Sequence, residues 1–169
     1  MTQPSINPRP VCQHRIILPW LYAVADDLSP RNKHRLGEIA EARFVAKAED
    51  LNFAVAKPWS TRNRYDFIVD SGKRLWRIQL KCTNSLYDGA YQVKAACRIA
   101  GQSARSYTPE EIDYIVAYVV PRDIWYVIPL TALKGKIHLR LHPEKIGRHK
   151  PKWETYREAW HLLRDPLLA

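Results

Sequence analysis

The chain has 169 residues, which suits one domain with a single hydrophobic core. Hydrophobic residues make up 46% of it, which excludes an intrinsically disordered chain. The formal net charge of +10 favours a polyanionic partner, with nucleic acid ahead of an anionic membrane surface.

The basic excess is concentrated in the middle of the chain. Residues 71–108 carry seven Lys or Arg residues and one acidic residue. A local excess is a better sign of a binding face than an even one. The chain has three cysteines, Cys12, Cys82 and Cys97, and no two of them are close in sequence. This spacing argues against a disulfide framework and against a structural zinc site. We therefore expect a cytoplasmic protein that binds nucleic acid and not a membrane.

The N-terminal region contains an apolar run at residues 16–25. This run is short and has Pro19 in its middle, so it is a poor match for a secretory signal or a transmembrane helix. We interpret residues 1–28 as an irregular N-terminal arm and residues 29–169 as a single folded domain.

The first predicted element of this domain is a helix. Ser29 followed by Pro30 is typical of a helix start, and Asn52 is a plausible end. Apolar side chains recur at helical spacing within it, at Leu36, Ile39, Ala40 and Phe44.

Strand-like runs follow along most of the remaining chain. They cover residues 53–57, 64–69, 74–82, 91–96, 113–120, 124–128 and 137–141. Residues 98–109 are predicted to form a polar loop, residues 129–133 a helical turn and residues 153–163 a terminal helix. This order predicts an α/β (α+β) fold.

The second and third strands carry the residues of chemical interest. Side chains alternate along a strand, so Arg77, Gln79 and Lys81 share one face while the apolar residues between them share the other. A turn at residues 70–73 pairs the two strands and places Asp66 opposite Ile78 or Gln79. Asp66 also interrupts an aromatic and β-branched strand, and such a local conflict often marks function.

This group of residues is suited to cutting a phosphodiester bond. The reaction needs charge stabilisation, an activated water and a stabilised leaving oxygen, and Mg²⁺ supplies much of this. Mg²⁺ prefers oxygen ligands and needs few from the protein. Asp66 would anchor it, with the Leu80 carbonyl and the Gln79 amide oxygen beside it, and Mn²⁺ can substitute. Lys81 would stabilise charge on the phosphate or position the attacking water.

Asp66 followed by Gln79-Leu80-Lys81 resembles the active-site pattern of the PD-(D/E)XK nucleases, in which an Asp precedes an acidic residue, any residue and Lys on the next strand. Tyr65 stands where that pattern has Pro, and Gln79 replaces the acidic residue. A Gln at this place is similar to a subgroup that includes bacterial intron-encoded homing endonucleases. The resemblance spans roughly residues 33–130. It implies a restriction-endonuclease-like fold, a mixed central β-sheet flanked by helices with an α-β-β-β-α-β type core.

The resemblance also implies a fourth member of the site. Many PD-(D/E)XK nucleases carry a Glu on the preceding helix that joins the metal site, and residues 37–41 match this pattern. Glu38 is the first match and Glu41 the second. The implied catalytic residues are therefore Asp66, Gln79, Lys81 and Glu38. The metal ligands would be Asp66, Gln79, the Leu80 carbonyl and Glu38.

The expected activity is metal-dependent hydrolysis of double-stranded DNA, by a homing-type enzyme or a related restriction-like or branched-DNA nuclease. Cutting both strands needs two active sites, which predicts a homodimer or a higher symmetric oligomer. The N-terminal arm or the terminal helix would form the contact, the latter through Trp153, Trp160, Leu162 and Leu163. The alternatives are a catalytically inactive DNA-binding module on the same fold and, more weakly, a domain that binds RNA or a membrane surface.

Two further groups of side chains are candidates for contacting DNA. The first comprises basic residues that would contact phosphates: Arg62, Arg64, Arg77, Lys94, Arg98 and Arg105. The second comprises aromatic residues that either stack on bases or pack within the protein, packing being favoured for each: Trp59, Tyr87, Tyr91 and Tyr107.

Overall fold

The computed structural model describes residues 33–60, 62–97, 101, 103–145 and 151–164. The predicted N-terminal arm at residues 1–28, the predicted helix start and Arg98 lie outside the described residues. Within the described ranges, no helix has the length and apolar character needed to cross a membrane.

The described chain forms a mixed α+β fold, as its element order predicts. The helices are α1 (Lys33–Asp50), α2 (Leu130–Leu133) and α3 (His161–Arg164). The strands are β1 (Ala54–Ala56), β2 (Phe67–Asp70), β3 (Leu75–Thr83), β4 (Leu86–Tyr87), β5 (Ala90–Lys94), β6 (Tyr114–Val119), β7 (Ile124–Pro129) and β8 (His138–Leu141). Strands β1-β2-β3-β6-β7 form a five-stranded sheet in that order, and β4-β5-β8 form a second sheet of three strands.

The five-stranded sheet is mixed because β3 and β6 run parallel while its other neighbours are antiparallel. Every residue of β6 is buried, and its Tyr-Ile-Val-Ala-Tyr-Val sequence is typical of a central strand covered on both faces. The sheet flanked by helices confirms the predicted fold class.

The β2–β3 hairpin has the register that the sequence predicts. Phe67 pairs with Ile78 and Asp70 pairs with Leu75, so the residue before Phe67 lies beside Gln79. Asp66 is therefore held next to Gln79, and its backbone N–H donates to the Ile78 carbonyl at 2.8 Å.

Helix α1 packs on one face of this sheet. Its buried residues are Leu36, Ala40, Phe44 and Ala48, spaced four apart. Ile39, expected in this stripe, is only half-buried. The Phe44 ring lies 4.8 Å from that of Phe67 and 6.2 Å from that of Trp125. These aromatic contacts fix the helix against the strands that carry the candidate site.

The second face is covered mainly by the three-stranded sheet, and the four-residue α2 adds Leu133 to the same core. A parallel pair such as β3 and β6 needs a crossover connection, usually a helix. Among the described residues of this crossover, 84–97, 101 and 103–113, none is helical. The β4–β5 hairpin fills this layer instead, with β8 added to β5. The α-β-β-β-α-β core predicted from the resemblance therefore has a small sheet in place of its second helix.

The prediction of a terminal helix at residues 153–163 is wrong. The segment contains a short 3-10 turn, Glu154–Tyr156, and the four-residue α3. Glu158 between them has a φ of 49°, which breaks a helix. Its backbone N–H donates to the Trp125 carbonyl at 2.8 Å, so this part of the segment adds to β7.

The same segment contributes its apolar side chains to the core of its own chain. Trp153, Trp160, Leu162 and Leu163 are all at most 8% exposed. The prediction that these side chains form a contact between protomers is therefore wrong, because they are not available to a partner.

Candidate active site

The candidate site lies on an edge of β3 that β2 leaves uncovered. Strand β2 begins at Phe67 opposite Ile78, whereas β3 continues to Thr83. Beyond Ile78, this edge of β3 faces the Asp66 side chain instead of a strand. An uncovered strand edge presents N–H and C=O groups to whatever lies beside it.

The Asp66 carboxylate binds directly to this edge. Its Oδ2 atom accepts a hydrogen bond from the Leu80 N–H at 2.8 Å and another from the Gln79 side-chain amide. The same Gln79 Nε2 lies 3.3 Å from the Leu80 carbonyl oxygen. A carboxylate oxygen and a backbone carbonyl oxygen thus converge on one point, which a donor group occupies.

Lys81 lies on the same face of β3, partly buried. Its Nζ lies 5.9 Å from the centre of the Tyr107 ring. Burial lowers the pKa of Lys81, and the charge of Asp66 partly offsets this. Burial likewise raises the pKa of Asp66, while the Leu80 N–H and the Lys81 ammonium act in the opposite direction. An acid and a base of opposite charge therefore share a poorly hydrated site, as is common in active sites.

The structure distinguishes the two glutamates of α1. Glu38 is two residues from both Leu36 and Ala40, which places it opposite the buried stripe. Its side chain is 68% exposed and lies 3.3 Å from His34. The structure does not bring Glu38 together with Asp66, so its predicted place in the site has no geometric support here.

Glu41 is the helix glutamate on the side of the site. Its charge contributes to the raised pKa of Asp66, together with the larger effect of burial. Its carboxylate forms an ion pair with Lys57, whose ammonium lies 5.8 Å from the Phe67 ring. Glu41, the second match to the family pattern, is therefore the helix glutamate whose charge acts on Asp66.

The donor set is suitable for a divalent cation only if backbone and amide oxygens take part. No group of three His, Cys, Asp or Glu side chains that could hold a metal occurs in the part of the chain that is described. The Asp66 carboxylate and the Leu80 carbonyl are both hard oxygen donors. Rotating the Gln79 amide by half a turn would bring its oxygen to the side where Nε2 now lies. These oxygens, with Glu41 nearby, fit a magnesium-type ion that keeps several waters.

Comparisons with known proteins agree with this geometry. The family model described as PD-(D/E)XK endonuclease matches residues 31–163. The chain belongs to this endonuclease family. The solved structure of a bacterial homing endonuclease, I-Ssp6803I, is similar over 78% of this chain and 93% of that chain, with 27% identity and a TM-score of 0.70. The nuclease fold and the family predicted from the sequence are thereby confirmed.

A second solved structure, that of MepB, is similar over 66% of this endonuclease and 83% of its own chain. Its identity of 13% and TM-score of 0.39 are too low to support an inference. No curated protein sequence matches the chain.

Several of the predicted phosphate contacts of this endonuclease are engaged within the protein. Arg77 donates to Asp113 and to the carbonyls of residues 109 and 110. Arg105 donates twice to Glu111, at 2.8 and 2.5 Å. Arg64 lies 3.8 Å from the same Glu111. These side chains brace the loop that leads into β6, which favours a structural role for them.

Arg62 and Lys94 are in a different situation. Both are exposed, Arg62 in the loop before Asp66 and Lys94 at the end of β5. Neither side chain has a hydrogen-bond or ion-pair partner among the described residues. They remain the predicted phosphate contacts that the structure leaves available.

The aromatic residues of the endonuclease also divide. Tyr91 and Tyr107 are buried, at 3% and 8% exposure, so the prediction that they pack within the protein is correct. Tyr107 donates to the Ala96 carbonyl at 3.2 Å and forms a wall beside Lys81. Tyr87 and Trp59 are exposed, so the prediction that they pack within the protein is wrong. Nothing in the local sequence marks Tyr107 as part of the site, because its contact with Lys81 joins distant parts of the chain.

Proposed function

We propose that this protein is a divalent-metal-dependent endonuclease that hydrolyses phosphodiester bonds in double-stranded DNA. The observation that supports this most directly is the convergence of Asp66 Oδ2 and the Leu80 carbonyl oxygen on one point beside Lys81. The net charge of +10 supports a polyanionic substrate. A homing-type role is part of the proposal, since a homing endonuclease shares the fold at 27% identity. A cytoplasmic setting also belongs to it, because Cys82 and Cys97 are free thiols.

The proposed roles follow from the positions of the side chains. Asp66, the Leu80 carbonyl and the Gln79 amide oxygen would hold the cation, with Glu41 as a further acidic group. When bound, a divalent cation lowers the pKa of a coordinated water and neutralises phosphate charge. The Lys81 ammonium provides a fixed positive charge next to Asp66, where it stabilises negative charge that develops on the phosphate. Tyr107 covers one side of Lys81 and limits its contact with water.

A catalytically inactive DNA-binding module is the second candidate. The observation that favours it is Gln79, whose amide replaces an acidic ligand and donates to Asp66 in this structure. Loss of one negative charge from the site weakens cation binding unless Glu41 compensates. The two candidates differ in chemistry and not in DNA affinity.

A plasmid-nicking assay separates the two candidates. Supercoiled plasmid is incubated with the protein in Mg²⁺, in Mn²⁺ and in EDTA. We expect nicking or linearisation with either metal and none in EDTA. Asp66→Asn and Lys81→Met should each abolish cutting while leaving duplex binding intact, as measured by fluorescence anisotropy with Ca²⁺. Retained binding without cutting by the wild-type protein, on linear, supercoiled and branched DNA, would leave the inactive module as the answer.

The choice between the helix glutamates has a matched pair of variants. Glu41→Gln and Glu38→Gln make the same chemical change three residues apart. Removing a group that supports a metal site commonly costs about 10- to 100-fold in metal affinity or activity, so we expect this loss for Glu41→Gln. Glu38→Gln should behave like the wild type, as an exposed substitution does. The opposite result would return Glu38 to the site.

The proposal includes a symmetric oligomer on DNA, because cutting both strands of a duplex needs two active sites. The buried C-terminal side chains cannot provide the contact. Light scattering after gel filtration, with and without duplex DNA, measures the number of protomers. A complex with one protomer per duplex that still makes double-strand breaks would contradict this part of the proposal.

A further inference from the structure

Trp59 is the most exposed large hydrophobic residue of the described chain. Its relative exposure is 104%, whereas Trp76, Trp125, Trp153 and Trp160 are at most 5% exposed. Tryptophan has the largest apolar surface of any side chain and is highly buried on average. A tryptophan this exposed among the described residues therefore leaves a large apolar surface available to a partner.

The loop that carries Trp59 is held in place at both ends. Lys57 is fixed by its ion pair with Glu41. The Asn63 side chain donates to the Ser60 carbonyl at 3.2 Å, and the Arg62 N–H donates to the Ser60 hydroxyl at 3.2 Å. The loop then enters the sheet through Asp66. A ring presented on a braced loop loses little conformational entropy when it is bound.

The chemistry around Trp59 is complementary to a nucleic acid. Residues 57–65 contain Lys57, Arg62 and Arg64 and no acidic residue. Arg62 is exposed, and the Lys57 side chain is 59% exposed even in its ion pair. Exposed cations on both sides of an exposed aromatic ring are the combination by which proteins hold phosphates while stacking on bases.

The distance along the chain places Trp59 near the reaction. Asp66 is seven positions after Trp59, so the two α-carbons are at most about 25 Å apart even in a fully extended chain. That span is less than one turn of duplex DNA, which is roughly 34 Å. Trp59 therefore lies within one helical turn of any phosphate held at Asp66.

We propose that Trp59 is a DNA-contacting residue that stacks its indole ring on an unstacked base within one helical turn of the cleaved phosphate. This inference rests on the proposed function and names a contact that positions the duplex over Asp66. Within the Trp59 loop, residues 57–60 and 62–65 of the described chain, the exposed Arg62 holds a flanking phosphate.

The first test uses the fluorescence of Trp59, obtained as the difference between the wild type and Trp59→Phe. In the free protein this signal should be quenched strongly by acrylamide, because the ring is fully exposed. Addition of a duplex oligonucleotide in Ca²⁺, which tests binding without cutting, should protect it. Protection that instead grows with protein concentration in the absence of DNA would overturn the proposal in favour of a contact between two copies of this chain.

The second test measures affinity and cutting. Base stacking on an aromatic residue contributes about 5- to 150-fold in affinity when tested by alanine substitution, so Trp59→Ala should lose that much duplex binding. Trp59→Phe keeps an aromatic face and should retain most of it. Leu75→Ala is the matched control: Leu75 is also an exposed hydrophobic residue, at 60%, but lies at the far end of β3 from Lys81.

The outcomes separate this inference from the proposed function. If the wild-type protein cuts DNA and Trp59→Ala binds and cuts equally well, the Trp59 proposal is wrong and the endonuclease stands. If the wild-type protein never cuts DNA but Trp59 is protected by duplex, the stacking contact stands and the enzymatic proposal fails. A folded Trp59→Ala protein, shown by an unchanged melting temperature, is required for either reading, and a surface site makes this the expected result.

Discussion

Replacing Arg77 with Met tests whether this arginine holds the fold together or contacts DNA. Its Nε and Nη2 atoms donate to the two carboxylate oxygens of Asp113, at 3.1 and 3.0 Å. Nη2 also donates to the Pro109 carbonyl at 2.6 Å, and Nη1 donates to the Glu110 carbonyl. Methionine keeps the apolar part of the side chain and removes all of these donors.

The expected loss of stability follows from how deeply the Arg77–Asp113 ion pair is buried. The Asp113 side chain is 13% exposed and that of Arg77 30%, so the pair is neither fully buried nor on the open surface. Breaking an exposed pair costs about 0–1 kcal/mol and breaking a buried one about 3–5 kcal/mol. The Arg77 backbone N–H and the Arg74 guanidinium, at 2.8 and 3.9 Å, stay beside the carboxylate and limit the loss. We expect the free energy of unfolding to fall by about 2–3 kcal/mol. The melting temperature should then fall by roughly 5–10 °C.

Two measurements decide the role of Arg77. Thermal unfolding reports stability, and the salt dependence of duplex binding reports phosphate contacts. Each phosphate contact contributes about 0.9 to the slope of log affinity against log salt concentration. Arg77→Met should leave this slope unchanged. Arg62→Met is the matched control: it removes an exposed cation, so the slope should fall by about 0.9 while the melting temperature stays the same. An Arg77→Met protein with unchanged stability and a reduced slope would refute the structural role.

Three further changes test the site and its support. Asp66→Asn should raise the free energy of unfolding in EDTA at pH 7 by about 1–2 kcal/mol, because Asn can still accept from the Leu80 N–H without burying a charge. Folding raises the pKa of Asp66 from its ordinary value of 3.8. The protonated carboxyl therefore stabilises the folded state fully below pH 3.8, and this stabilisation is lost as the pH rises through the pKa of the folded state. The gain from Asn should therefore disappear towards pH 4 in thermal melts, and a gain that is constant with pH would contradict it. Gln79→Glu should lower the melting temperature without metal, since two carboxylates then face each other, and should increase the rise in melting temperature on adding Mn²⁺; an unchanged response to Mn²⁺ would remove Gln79 from the ligand set. Phe44→Ala should cost about 3–5 kcal/mol in urea unfolding, because its ring packs between Phe67 and Trp160; a much smaller loss would mean that α1 is not held by this contact.

Much of the site was predictable from the sequence because it depends on local rules. Alternation along β3 places Gln79 and Lys81 on one face, and the turn after Asp70 brings Asp66 beside them. Both features involve residues that are close in the chain. The order of helix and strands is local in the same sense, and it led to the correct fold class.

The choice between Glu38 and Glu41 needed the tertiary structure. Both glutamates fit the helix pattern, and the pattern alone favoured Glu38. Which one approaches Asp66 depends on how α1 is rotated when Phe44 packs against the sheet. That rotation is set by contacts with strands far along the chain, which a helical stripe indicates only approximately.

The partners of Arg77 and the conformation of the C-terminal segment were also determined by tertiary contacts. Arg77 and Asp113 lie 36 positions apart and meet only because β3 and β6 are parallel neighbours. Residues 153–163 have apolar side chains at helix-like intervals, yet Glu158 joins β7 and ends any helix there. The sequence by itself determined the polar face of β3, its hairpin with Asp66 and the mixed α+β class. Only the folded chain decided which charges are paired, which glutamate lies on the side of Asp66 and which tryptophan is left exposed. Long side chains and distant segments acquire their partners through packing and not through spacing.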